Sequence, residues 1–90
     1  MAQTKPILYV KAGCPWCAEA SAYFAAQGLA TEEREVRGNP QFIQELRAVS
    51  GQDKTPTLKY GDFVVKDFSV DEFKAAIDAA PAVKAELGLK

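Results

Sequence analysis

The apolar positions of this chain fall into blocks whose spacing changes along the sequence, and each change of spacing marks an element. Pro6-Ile7-Leu8-Tyr9-Val10 is a continuous apolar run, partly β-branched and closed by Gly13, as expected of a strand buried on both faces. From Pro15 to Gln27 the residues Trp16, Ala20, Tyr23 and Phe24 recur at three- and four-residue spacing, with Gly28 as a stop, which predicts a first helix. Thr31 to Val36 has little apolar weight and reads as a second strand only by its place between that helix and Gly38.

Asn39-Pro40 offers an N-cap followed by a proline at the first helical position. Phe42, Ile43, Leu46 and Val49 then mark one face of a second helix ending near Gly51. Thr57 to Tyr60, a Gly61-Asp62 turn and Phe63 to Val65 predict a β-hairpin. Ser69-Val70-Asp71-Glu72 has the spacing of a capping box, and Phe73, Ala76 and Ile77 form the inward stripe of a third helix. Pro81 interrupts that pattern, and residues 82–90 fit either further helical turns packed on the surface or a mobile tail. The order β-α-β-α-β-β-α predicts one α/β domain over residues 1–90 with a mixed sheet.

Composition narrows the function classes. Ninety residues with 48% hydrophobic content suit a single core. A net charge of -1, from 11 basic and 12 acidic residues, creates no field that would select nucleic acid or an anionic membrane as partner. Met1 to Val10 lacks a charged segment followed by a long apolar run, so neither a signal peptide nor a membrane span is expected, and the cytoplasm is the expected location. A monomer is the expected state.

The chemistry points to the two cysteines, Cys14 and Cys17, separated by Pro15-Trp16 at the start of the first helix. A thiolate, not a thiol, attacks a disulfide, so an attacking cysteine needs its pKa brought down toward neutrality. As N-cap, Cys14 would turn its sulfur to the free N–H groups of Trp16 and Cys17 and to the positive end of the helix dipole, with Lys11 nearby. Pro15 sets φ for the first turn, and Trp16, partly exposed between the cysteines, offers an apolar face to a substrate or packs on the hairpin. Cys17, one turn in, would resolve the mixed disulfide formed by Cys14. Intramolecular zinc lacks ligands, since the chain has no histidine and no third cysteine, so no metal is expected. A purely structural disulfide stays as the plain alternative.

With a strand, then Lys11-Ala12-Gly13-Cys14-Pro15-Trp16-Cys17, then a helix, the sequence resembles a dithiol glutaredoxin of the thioredoxin-like superfamily. Lys54-Thr55-Pro56 and Gly61 fall where that family places them. The resemblance implies a thioredoxin-like fold with a mixed four-stranded sheet flanked by helices, and a cis Thr55-Pro56 bond beside the redox pair. It implies that the backbone of Thr55 pairs with substrate. Glutathione would be held by Lys11, by Thr55 and by Ser69 and Asp71 at the third helix, whose plain reading is a capping box. Lys66-Asp67 stands where the family has a glycine pair, a departure that would obstruct close approach of a peptide backbone.

The function that follows is reduction of protein disulfides or glutathione mixed disulfides through Cys14 and Cys17. No cofactor would be tightly bound, and glutathione or a flavoprotein reductase would supply electrons. Three further readings stay open: a carrier linked to thioredoxin reductase, an iron-sulfur cluster carrier using Cys14 and a thiol cofactor, and an interaction module without turnover.

Overall fold

Leu8 and Tyr9 are neighbours on one strand and therefore point to opposite faces of the sheet, and both are buried, so that strand needs cover on two sides. The computed structural model, which describes residues 5–89, supplies that cover. Its elements are β1 (Ile7–Val10), α1 (Pro15–Ala26), β2 (Glu32–Glu35), α2 (Pro40–Ser50), β3 (Thr57–Tyr60), β4 (Phe63–Val65), α3 (Val70–Asp78) and α4 (Pro81–Leu87). The four strands form one sheet in the order β2-β1-β3-β4. β1 runs parallel to β2, with Leu8 opposite Glu33, and antiparallel to β3, with Leu8 opposite Leu58. β4 runs antiparallel to β3 through the two-residue turn at Gly61-Asp62. The mixed sheet and the order of the first seven elements agree with the sequence reading.

Helices cover both faces. On one side Leu8 and Leu58 pack against Ala20 and Phe24 of α1 and Phe73 and Ile77 of α3. Phe24 and Phe73 meet edge to face with centroids 5.0 Å apart, a geometry that adds to plain area burial. On the other side Tyr9 and Val36 pack against Leu46 of α2. The segment after Pro81 resolves into helix: Pro81 opens α4, Gly88 ends it with φ 71°, and Leu89 is buried in the larger core.

β2 forms without an apolar pattern because side-chain pairing substitutes for burial. Arg34 bridges Glu32 at 2.7 Å and also binds Glu45 of α2, while its guanidinium lies over the Phe42 ring at 5.5 Å. The Asn39 side chain departs from its expected capping role. It makes no bond to α2 and donates instead to the Glu35 carbonyl at 2.7 Å.

Glu35 joins the two loops at the same end of the sheet. Its carboxylate accepts the Ala12 N–H at 2.7 Å and the Gly38 N–H at 2.9 Å, so the loop after β1 is tied to the loop after β2. The Gly38 N–H, then the Ala12 N–H, hold this carboxyl below the usual glutamate range, outweighing a small opposing desolvation. A carboxyl whose folded pKa is depressed contributes stability above its unfolded pKa and loses it as pH falls through the folded value.

Two outcomes are expected. Phe73→Ala should lower stability by about 3–5 kcal/mol in urea denaturation, the usual range for truncating a buried phenylalanine. Glu35→Gln should be less stable than the native chain at pH 7, and the gap should close as pH is lowered below the ordinary carboxylate range, read from denaturation midpoints across that window.

Candidate active site

The chain leaves β1 at Val10 and must turn sharply to start α1. Gly13 makes the turn with φ 81°, a left-handed value that a side chain rarely adopts. The Cys14 N–H closes it on the Lys11 carbonyl at 3.1 Å. Cys14 is then the N-cap, in extended conformation, and Pro15 occupies the first helical turn, where no N–H is needed. The capping bond is the one an oxygen would make elsewhere: the Cys17 N–H donates to Cys14 Sγ at 3.2 Å.

A second segment closes over the sulfur. The Thr55-Pro56 bond is cis, and Thr55 is buried with its hydroxyl donating to Cys14 Sγ at 3.8 Å. The Thr55 carbonyl lies 3.9 Å from the same sulfur and accepts its proton when Cys14 is a thiol. Thr57 then anchors the loop, its hydroxyl donating to the Lys54 carbonyl at 2.9 Å and receiving the Asp67 N–H at 3.5 Å. The Phe68 N–H completes the link on the Pro56 carbonyl at 3.3 Å. The stretch before α3 is thereby stacked against the Thr55-Pro56 segment.

The two sulfurs differ in environment and therefore in acidity. Burial works against a thiolate at Cys14, yet the donors gathered around it prevail: the Cys17 thiol and N–H, the Thr55 hydroxyl and the Trp16 N–H hold its pKa below the ordinary cysteine value. Cys17 is only 4% exposed, and burial, reinforced by the neighbouring Cys14 sulfur, pushes its thiol up. The Thr55 hydroxyl and the Lys11 N–H act the other way at Cys17 without prevailing. Of the two sulfurs, the half-buried Cys14 is therefore the more readily ionised and the buried Cys17 the less.

The other residues singled out by sequence divide into two groups. Lys11 lines a shallow cleft with Cys14 and Cys17, and a second recess of about 410 Å³ with Arg37 and Arg47. Trp16, 54% exposed, forms one wall of a groove of about 510 Å³ whose other walls are Asp67, Phe68, Ser69 and Glu72. Asp71 is exposed and lies outside that lining. Ser69 makes the capping box: its Oγ accepts the Glu72 N–H at 3.2 Å, and Glu72 Oε1 accepts the Ser69 N–H at 2.8 Å. Among the described residues no group of three histidine, cysteine or acidic side chains is placed to hold a metal ion.

Three residues of the site have roles that their local sequence does not give in full. Glu35 reaches the Ala12 N–H across 23 residues. Glu72 reads as a capping partner and is also a groove wall. Asp67 adopts φ 48°, the left-handed conformation at ease for glycine, and aspartate is one of the few other residues that tolerate it. Its place opposite the family's glycine pair is the signal that marks it.

The sequence profile of the glutaredoxin family matches residues 7–65. No curated protein matches the sequence. Among solved structures, the glutaredoxin of Brucella melitensis superposes with a TM-score of 0.68 at 26% identity, covering 96% of this chain and 91% of that one. A glutaredoxin of Archaeoglobus fulgidus gives 0.70 at 19% identity, with 81% and 85% covered, and a thioredoxin-like protein gives 0.71 at 22%, with 80% and 99% covered. These likenesses establish a thioredoxin-like fold, and the profile match extends from the first strand through the redox pair and Thr55-Pro56 to the end of the hairpin: the chain belongs to the glutaredoxin family.

Proposed function

We propose that this protein is a thiol-disulfide oxidoreductase that reduces protein disulfides or glutathione mixed disulfides, with Cys14 as nucleophile and Cys17 as resolving thiol. The observation that carries the reading is the Cys17 N–H at 3.2 Å from Cys14 Sγ, on a helix whose second cysteine is buried. It supplies the two things the reaction needs: a stabilised thiolate at the surface and a second sulfur one turn behind it.

The Cys14 thiolate attacks one sulfur of the substrate disulfide, forms a mixed disulfide and expels the other substrate sulfur as a thiolate, which takes a proton from water. Cys17 then loses its proton and attacks Cys14 Sγ, so the Cys14–Cys17 bond forms and the second substrate thiolate leaves. One substrate disulfide gains two electrons and the protein dithiol gives two. While Cys14 is in the mixed disulfide, the Cys17 N–H and the Thr55 hydroxyl stay directed at its sulfur, where they stabilise it as leaving thiolate in the reverse reaction.

Regeneration needs two electrons from outside, from two glutathione molecules or a flavoprotein reductase. Lys11, Trp16, Thr55, Pro56, Ser69 and Asp71 are the candidates for contact with glutathione or the substrate. The protein works without a resident cofactor, as a monomer in a reducing compartment such as the cytoplasm, where the Cys14–Cys17 pair is returned to its dithiol form.

Turnover of a peptide disulfide should fall to background with Cys14→Ser. With Cys17→Ser it should survive only for substrates that glutathione itself resolves; equal activity of native and Cys14→Ser proteins would end the proposal. In iodoacetamide alkylation followed against pH, Cys17→Ser protein should react with a midpoint below that of a free cysteine, and Cys14→Ser protein with a midpoint above it. Thr55→Val should slow alkylation of Cys14 at neutral pH several-fold, since a hydrogen bond to a charged group contributes about 1.5–3 kcal/mol at most and this one is long.

A further inference from the structure

The groove beside the redox pair has a composition that the redox chemistry does not explain. Two of its walls, Trp16 and Phe68, are aromatic, and its charged members, Asp67 and Glu72, are both acidic. Lys66 precedes Asp67 but is not part of the lining, and the exposed Asp71 beside it carries the same sign as the rim. Lys74, on the same helix, is turned to the Tyr23 ring at 5.6 Å. The basic side chains of the site, Lys11, Arg37 and Arg47, line a different recess.

An entering carboxylate meets competition here. Two of the N–H groups at the start of α3, those of Ser69 and Glu72, are already taken by the Glu72 carboxylate at 2.8 Å and the Ser69 hydroxyl at 3.2 Å. It would also meet the carboxylates of Asp67 and Glu72 at the rim. A guanidinium or ammonium meets the reverse: two carboxylates at the rim and the face of an indole that is more than half exposed.

We propose that Asp67 and Glu72 are specificity-determining residues that select polypeptide disulfides carrying a basic residue next to the cystine, the cationic side chain lying in the groove between Trp16 and Phe68. The inference rests on the reading of Cys14 as a disulfide-reducing thiol. The redox step is the one already written, and Asp67 and Glu72 act on substrate binding without touching the sulfurs.

The test uses three peptide disulfides that differ only in one residue beside the cystine, arginine, glutamine or glutamate, reduced by the native protein at low ionic strength. The expected order of kcat/KM is arginine, glutamine, glutamate, with about five- to tenfold between the extremes, the size two partly exposed charge pairs can supply. The spread should shrink to within about twofold at 0.5 M salt, where such pairs are screened. It should shrink likewise at low salt in the double variant Asp67→Asn, Glu72→Gln. Asparagine tolerates the left-handed backbone, and glutamine can still accept the Ser69 N–H. Equal rates for the three peptides, or a spread that survives both salt and the double variant, would overturn the inference alone. No turnover of any peptide beyond that of Cys14→Ser would overturn the oxidoreductase reading and this inference with it.

Discussion

A sulfur stands where a helix normally has a capping oxygen, and the site is arranged around that substitution. The first turn of α1 has N–H groups without intrahelical partners, and Cys14 Sγ satisfies the one from Cys17 at 3.2 Å. The same bond therefore starts the helix and stabilises the thiolate, so structure and reactivity are not separable at this residue. Gly13, Pro15 and the Glu35 clamp all serve to deliver the N-cap in place: one permits the turn, one begins the helix, and one fixes the preceding loop to the neighbouring strand.

The second half of the site comes from far along the chain and is held by backbone bonds. Thr55 reaches Cys14 across 41 residues, and Thr57 and Pro56 in turn hold Asp67 and Phe68. The redox sulfur and the acidic groove are thus consecutive links of one hydrogen-bonded sequence of segments. The buried aromatic cluster of Phe24, Phe68 and Phe73 lies beneath, so the groove floor shares residues with the main core. A site built on core residues is held more rigidly than one carried by loops alone.

Much of this fold is legible in the sequence. Continuous and periodic apolar runs gave β1, α1, α2 and α3 because burial writes itself into spacing, and the Gly61-Asp62 turn gave the hairpin because glycine supplies the φ of 59° found there. The place of Cys14 as N-cap and of Cys17 one turn in is legible because it depends on local spacing. What was hidden depends on distance. β2 is secured by Arg34 reaching α2, the Asn39 side chain is drawn away from its cap by Glu35, and α4 follows from Leu89 finding a place in the core. The groove was hidden for a further reason: Ser69 and Glu72 announce a capping box, and only the packing of Trp16 and Asp67 around it makes that box a wall.

The strand order leaves the sheet with two unlike margins. Along β2 the outer edge presents Glu32, Glu33, Arg34 and Glu35, and a strand of another copy laid against it would bring carboxylates together. At the far margin β4 is the uncharged run Phe63-Val64-Val65, with charges only at its two ends, Asp62 before it and Lys66 after it. Strand-to-strand association under crowding is therefore directed to β4, where three residues give few bonds to build on. The charge-rich strand that is hardest to read in the sequence is the one that keeps the longer edge of the sheet solitary.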